Sequence, residues 1–319
     1  MLLLQRTPSI QLLYAEILKR RLPHDSEEFP TLQEQFSRID AGQSGELRAD
    51  RELVDFMIKH QHRIFHNLEL LNPQGHTHQI DTILLTPHFL YILEIKNITG
   101  KLFYQPSSHQ FGRERVDGRI DYFSNPFDQA YRHQLFLEYL LREWHVDLPV
   151  VYSVVLANSN GVIDESLRDR PIFHLSGLRF QINTLFEHFG TALLDDEQLD
   201  FVSKRLLMSL HRAPIKRWAD TSKIKKGVLC EKCDWNSTMH YINRSWQCVR
   251  CGKRDKKALR QALYDYRFLV GERISNKEFR EFMGVDSIHA VSKILVRLNL
   301  QTEEKNRGKV YIIPENILD

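Results

Sequence analysis

Two apolar runs with one short break between them stand out in the first half of the chain: Gln79 to Thr86 and Phe89 to Ile98. Pro87 and His88 interrupt the pattern, which predicts two neighbouring antiparallel strands joined by a tight turn. Side chains alternate faces along a strand, so Glu94 and Lys96 share one face while Leu93 and Ile95 share the other. A carboxylate and an ammonium at the end of an otherwise apolar strand are costly to bury without partners. Asp81 on the adjacent strand is one candidate partner. A divalent cation held between Asp81 and Glu94 is a better one.

The remaining pattern frames this pair. Ile10, Leu13, Tyr14, Ile17 and Leu18 recur at helical spacing between Ser9 and Arg21, and Pro23 stops them, so residues 1–43 read as a mainly helical extension with a packing role. Ser44-Gly45-Glu46 is expected to open an amphipathic helix to about Lys59, with Leu47, Val54, Phe56, Met57 and Ile58 as its apolar surface. Glu46 then falls in the first turn, where the helix dipole favours a carboxylate. His62 to Leu71 reads as a first strand, closed by the turn Asn72-Pro73-Gln74-Gly75. Leu102 to Gln105 and Arg119 to Phe123 read as a hairpin, with Arg113 and Arg115 exposed on its loop. Asn125 as cap and Pro126 at the first helical position start a helix to about Trp144, packed through Leu135, Leu137, Leu140 and Leu141. Gln129 lies one turn in, where a surface role is the simple reading. Pro149 to Ala157 is a buried strand and 171–175 a short last one. Helices over Thr184–Gly190 and Asp196–His211 close a domain spanning 44–212. His60, His62, His66, His76 and His78 read as polar edge positions.

Charge divides the chain unevenly. Residues 1–203 hold 19 Lys/Arg against 28 Asp/Glu, residues 204–260 hold 16 against 4, and residues 261–319 hold 9 of each. A segment that basic in an otherwise acidic chain suggests contact with a polyanion, the alternative being a solvated linker. All four cysteines lie there, as Cys230-x-x-Cys233 and Cys248-x-x-Cys251. Two such pairs 14 residues apart fit a tetrahedral thiolate site for Zn²⁺, and Tyr241-Ile242 and Trp246-Gln247 suit the hairpin of a zinc ribbon within 213–257. Disulfides would need an oxidising compartment, and an iron–sulfur cluster is a further alternative. The basic candidates for nucleic-acid contact here are Lys223, Lys225, Lys226, Arg244, Arg250, Lys253 and Arg254.

Residues 258–319 read as a winged-helix-like domain. Ala258 to Val270 forms one helix, Ser275-x-x-Glu278 is a capping box for a second ending at Gly284, and Asp286 caps a third. Gln301 to Asn306, Arg307-Gly308-Lys309 and Val310 to Ile313 form a wing. Ser287, His289, Ser292 and Lys293 would face a groove, with Arg307 and Lys309 on the wing. Many such arrangements bind only protein, and the balanced charge keeps that option open. Met1 to Leu4 is too short for a signal peptide or a span, and no apolar run reaches membrane length, so the expected location is cytoplasmic.

The central pair resembles the active site of the PD-(D/E)XK nuclease superfamily. Glu94-Ile95-Lys96 matches the second motif, and Ile80-Asp81 stands where Pro-Asp often stands. Gly45-Glu46 upstream, Glu94-Ile95-Lys96-Asn97 running on to Gly100, and Asn125-Pro126-x-x-Gln129 downstream narrow the resemblance to the nuclease-related domain (NERD) family. The motifs occur in the family's order over roughly residues 40 to 160. The resemblance implies an α/β fold, a restriction-endonuclease-like mixed sheet flanked by helices, carrying the zinc ribbon and winged-helix-like parts behind it. It implies Mg²⁺ or Mn²⁺ held by Asp81, Glu94 and the backbone carbonyl of Ile95, with Lys96 beside the attacking water. Glu46 would assist a second metal or its water shell, and Gln129 would orient a water, the metal shell or a phosphate. Asn97 and Lys101 are phosphate candidates. The expected activity is DNA endonuclease, with RNA still open as substrate. The alternative is a regulator that uses a nuclease-like fold only to grip DNA. A homo-oligomer is compatible with either.

Overall fold

The computed structural model describes residues 1–305 and 308–318. The chain begins with strand β1 (Leu2–Leu4), helix α1 (Ile10–Arg21) and the long helix α2 (Phe29–Asp55). It divides into two compact units, one of Met1–Pro8 and Asp40–Pro214, the other of Ser9–Ile39 and Ile215–Asp319. Residues 9–39, which the sequence places in an N-terminal extension, therefore pack within the second unit.

The first unit is built on β2 (Arg63–Leu71), β3 (Thr77–Leu85) and β4 (Leu90–Lys96), then a hairpin region β5 (Gly100–Gln105), β6 (Gln110–Glu114) and β7 (Ile120–Phe123). Helix α3 (Pro126–Glu143), β8 (Val150–Leu156), β9 (Gly161–Ile163), β10 (Ile172–His174), α4 (Leu178–His188) and α5 (Asp196–Met208) follow. Six strands form a mixed sheet in the order β1-β2-β3-β4-β8-β10. β2, β3 and β4 run antiparallel, while β4, β8 and β10 run parallel. β4 is central and covered on both faces, which is why it reads as a continuous apolar run. One face packs Phe65, Leu68, Ile83 and Ile92 against Phe136, Leu137 and Leu141 of α3 and Leu199 and Val202 of α5. The other packs Leu84, Tyr91, Leu93 and Val155 against Ala49 and Leu53 of α2 and Leu178 and Ile182 of α4. A second sheet, β7-β6-β5-β9, lays Leu102, Tyr104 and Phe111 against Phe127.

Several expectations need correction. No helix starts at Ser44: α2 is already four turns old there and ends at Asp55. Glu46 therefore lies in a helix interior, and the dipole argument for it lapses. The buried phase is Gly45, Ala49 and Leu53, while Val54 and Met57 are 69% and 88% exposed. The reason is Gly45 itself. A Cβ there would come within 2.6 Å of Asn97 Cβ, so the glycine lets α2 approach the end of β4. Met1–Leu4, read only as too short for a membrane, supplies an edge strand parallel to β2. Arg113 and Arg115 pair with Asp121 across the β6–β7 hairpin instead of projecting freely from a loop. On α3 it is Phe136 that packs, and Leu135 is exposed.

In the second unit, β11 (Val228–Leu229), β12 (Thr238–Ile242), β13 (Ser245–Cys248) and β14 (Arg254–Asp255) form an antiparallel ribbon. Helix α6 (Ala258–Leu269), β15 (Arg273–Ser275), α7 (Asn276–Met283), α8 (Ile288–Arg297), β16 (Gln301–Lys305) and β17 (Gly308–Ile312) complete it, the last strands pairing in the order β15-β17-β16. Ser275 and Glu278 form the expected capping box, and Gly284 closes α7 in the left-handed region (φ +69). The cap of α8 is Ser287, whose hydroxyl accepts from Ala290 N, not Asp286. Within this unit α1 is tied to α6 by Arg20 and Arg21, both donating to the fully buried Asp265. Among the described residues no helix is long and apolar enough to cross a membrane.

Candidate active site

Asp81 sits where the sheet loosens. β2 and β3 pair at His66–Thr82 and Leu68–Ile80, with Asn67 between them in the left-handed region (φ +51), opposite Asp81. The β3–β4 ladder starts only at Thr82–Leu93. Beyond it the Asp81 carboxylate substitutes for a backbone acceptor: its Oδ2 takes the Ile95 amide at 2.8 Å. Burial raises the Asp81 pKa against the pull of Lys96 and that hydrogen bond.

Glu94 is the most enclosed group of the set, at 0% exposure. Its Oε1 accepts from Lys96 Nζ at 2.6 Å, while Oε2 meets no donor among the described residues. Burial, then the Asp81 charge, push its pKa up to about 8. The Lys96 side chain is 27% exposed and also donates to Gln129 Oε1 at 3.3 Å. Burial works against its charge, yet Glu94 and Asp81 hold its pKa above the ordinary lysine value. Gln129 is aimed by the start of α3. Asn125 Oδ1 takes the Phe127 amide, and the Gln129 amide donates to the Asn125 carbonyl. Asp81, Glu94, Lys96 and Gln129 thus come together at the end of β4. Ile95 contributes its amide to Asp81 and its side chain to the α2-side core.

Glu46 is brought to the same place by a residue that sequence reasoning missed. Arg6 donates through Nη1 to Glu46 Oε2 at 2.6 Å and through Nε to Asp50 Oδ2 at 2.7 Å. Its Nη2 reaches Asp50 Oδ1, the Asp81 carbonyl and Thr82 Oγ1. Glu46 and Asp50 lie one helical turn apart on α2, so one guanidinium spans both. Burial and Asp81 push Glu46 up to about 7. His66 Nδ1 stands 3.0 Å from Asp50, and burial depresses it to about 4, so it is neutral near pH 7. A spacing of four between Glu46 and Asp50 was the available signal, visible only with the correct phase of α2. His133, one turn beyond Gln129, is a second omission: its Nδ1 meets His78 Nδ1 at 3.1 Å, and its buried Nε2 has no partner among the described residues.

The phosphate candidates of this unit are already engaged. Asn97 Oδ1 accepts from Arg48 and Asn158 and its amide donates to the Ala41 carbonyl, clamping β4 to α2. Lys101 pairs with Asp164 at 2.6 Å. In the second unit, Lys223 pairs with Glu28, Lys225 donates to the Trp235 carbonyl, Lys253 stands near Glu231 and Asp255, and Arg254 donates to Gln247. Lys226, Arg244, Arg250, Lys293 and Lys309 are exposed. Arg307 lies outside the described residues.

Cys230, Cys233, Cys248 and Cys251 present four sulfurs within 4.8 Å of one another, and none is in a disulfide. Cys230–Cys251 and Cys233–Cys248 sulfurs are 3.7 and 3.8 Å apart. Ligands about 2.3 Å from a tetrahedral Zn²⁺ stand about 3.8 Å from each other, so the donor set fits zinc. At the acidic site the fit to a hard cation rests on Glu94 Oε2. A buried carboxylate oxygen without a donor is costly, and a divalent ion prefers such an oxygen ligand.

Residues 41–157 match the model of the nuclease-related domain, NERD, a segment that contains Glu46, Asp81, Glu94, Lys96 and Gln129 but not Arg6. An uncharacterized protein of Bacillus anthracis is 26% identical over 102 residues, which is 32% of this chain and 47% of that one, so the similarity spans about half of the relative's length. No solved structure is significantly similar to the chain.

Proposed function

We propose that the first unit is a metal-dependent DNA endonuclease and that the ribbon and C-terminal elements of the second unit engage the DNA. The single observation that carries the reading is the buried Glu94 carboxylate, with one oxygen on Lys96 and the other without a donor among the described residues. Asp81, Glu94 and the Ile95 carbonyl would hold Mg²⁺ or Mn²⁺ as oxygen ligands. The ion supplies polarisation of the phosphate and a lowered pKa for bound water. Lys96, kept charged by Glu94 and Asp81, donates to the phosphate or to the attacking water and offsets charge that builds up on the phosphoryl oxygens. Gln129 fixes the lysine from the other side. The exposed cations Lys226, Arg244, Arg250, Lys293 and Lys309 would follow the phosphate backbone, making binding salt-sensitive. Zn²⁺ on the four cysteines would hold the ribbon that presents Arg244 and Arg250.

The test is cleavage of supercoiled plasmid with Mg²⁺ or Mn²⁺, comparing the wild type with Asp81→Ala and Lys96→Ala. Cleavage by the wild type alone, with DNA binding equal in all three, supports the enzyme. A wild type that binds DNA and cleaves in neither metal contradicts it and favours a DNA-gripping regulator.

A further inference from the structure

We infer that Arg6 fills the place of a second cation, so that the acidic site takes a single divalent ion, between Asp81 and Glu94. The inference rests on the metal-dependent reading and narrows it.

Four carboxylates gather here, two from α2 and two from β3 and β4, and they are served differently. On the α2 side, Asp50 has both oxygens on Arg6 and Glu46 has Oε2 on its Nη1, at 2.6 to 3.1 Å. The same guanidinium is tied to the sheet through the Asp81 carbonyl and the Thr82 hydroxyl, and its side chain is 3% exposed. A planar guanidinium with several fixed donors suits this multidentate role, where an ammonium would act as a single point. On the strand side, one backbone amide and Lys96 serve Asp81 and Glu94, and Glu94 Oε2 has no donor among the described residues. The buried open oxygen is thus on the strand side, whereas Glu46 Oε1, also without a donor among the described residues, belongs to a side chain that is 23% exposed.

Charge gives the same answer. Once an arriving metal has displaced their protons, four carboxylates face two fixed cations, Arg6 and Lys96, while His66 is neutral near pH 7. One divalent ion brings the group to neutrality. A second would overshoot by two charges, more than one phosphodiester offsets. Two-metal sites place their ions about 3.5–4 Å apart and need carboxylates that both can share; Glu46, the carboxylate nearest that duty, is held by a residue outside the matched segment.

The test is stoichiometry, read without turnover. Full-length, zinc-loaded protein is titrated with Mn²⁺ by calorimetry, and the bound ion is examined by electron paramagnetic resonance. The expected result is one Mn²⁺ per chain with the six-line signal of an isolated ion, abolished by Asp81→Ala. Glu46→Gln should keep that single ion with a Kd within about threefold of wild type. Arg6→Gln, when its circular dichroism is native, should bind a second ion. Two ions in the wild type, a spin-coupled pair, loss of the ion in Glu46→Gln, or a folded Arg6→Gln that stays at one ion overturns the inference and leaves the metal-dependent reading intact. No Mn²⁺ bound to the wild type overturns both. The wild-type and Glu46→Gln results decide the matter even where Arg6→Gln fails to fold.

Discussion

Lys96 Nζ lies 2.6 Å from Glu94 Oε1, two residues away on the same strand face. The pair closes half of a fully buried carboxylate and leaves its other oxygen without a donor among the described residues. Leaving that oxygen bare in an apolar setting costs free energy, which a proton on Glu94 or a bound cation offsets.

The lysine is expected to act through the position and charge of one ammonium. Lys96→Ala should lower the cleavage rate by about 10² or more, the scale of a lost charge-stabilising donor. Lys96→Arg should restore little, because a guanidinium cannot sit on Glu94 and Gln129 as a point charge does. Single-turnover kinetics, with DNA affinity measured in parallel, check this. A near-wild-type rate in Lys96→Ala would remove Lys96 from the mechanism, and one in Lys96→Arg would show that any cation placed there suffices.

Stability without divalent metal should fall as pH rises from about 6.5 to 8. Glu94 at about 8 and Glu46 at about 7 are both raised above the unfolded carboxylate value. These two carboxyls hold more protons folded than unfolded from about pH 4.5 to 8, whereas His66 and His133, depressed to about 4, do the reverse up to about pH 6.5, so the net loss of stability falls between about pH 6.5 and 8. Thermal melts without added Mg²⁺ or Mn²⁺ from pH 6.5 to 8 should show a falling Tm, flattened in Glu94→Gln. Mn²⁺ should raise Tm more at pH 8 than at pH 6, since it must displace the proton. A Tm that climbs with pH across that range is the opposite outcome.

Gly45→Ala sets two effects against each other. Alanine gains about 1 kcal/mol of helix propensity. Its Cβ would also meet Asn97 Cβ at 2.6 Å, in a contact clamped by Arg48 and Asn158. Overpacking of this kind costs about 1–3 kcal/mol, so the net change should be destabilising. Denaturant midpoints read the sign directly, and a stabilised variant would mean that α2 can move away from β4 freely.

The ribbon should carry about one Zn²⁺ per chain, as sulfurs 3.7 and 3.8 Å apart imply. Elemental analysis counts the metal. Cys248→Ser or a strong chelator should remove it and unfold β11–β14, seen as loss of amide protection there. A zinc-free protein with the same protection would make the cysteines merely structural neighbours.

What was legible in the sequence was local. The Asn125 and Ser275 caps, the β3–β4 pair and the cysteine ribbon depend on neighbours nearby in sequence, and each formed as its pattern says. The start of α2 was misread because Gly42 and Gly45 look like helix breakers, and the contact that makes a glycine useful at 45 lies 52 residues away on Asn97. Arg6 was invisible for a similar reason. It stands in the short Gln5-Arg6-Thr7-Pro8 stretch without periodicity, and its partners are 40, 44, 75 and 76 residues distant. His66 looked like a polar strand-edge residue until Asp50 and Thr82 were placed beside it.

The central claim is that the carboxylates of Asp81 and Glu94 share a cation. Diffraction from crystals soaked in Mn²⁺, collected at the manganese edge, measures this most directly. The account predicts an anomalous peak within about 2.0–2.3 Å of an oxygen from each carboxylate, including Glu94 Oε2. Strong peaks elsewhere, with Glu94 still closed on Lys96 and no density between the two residues, would contradict it.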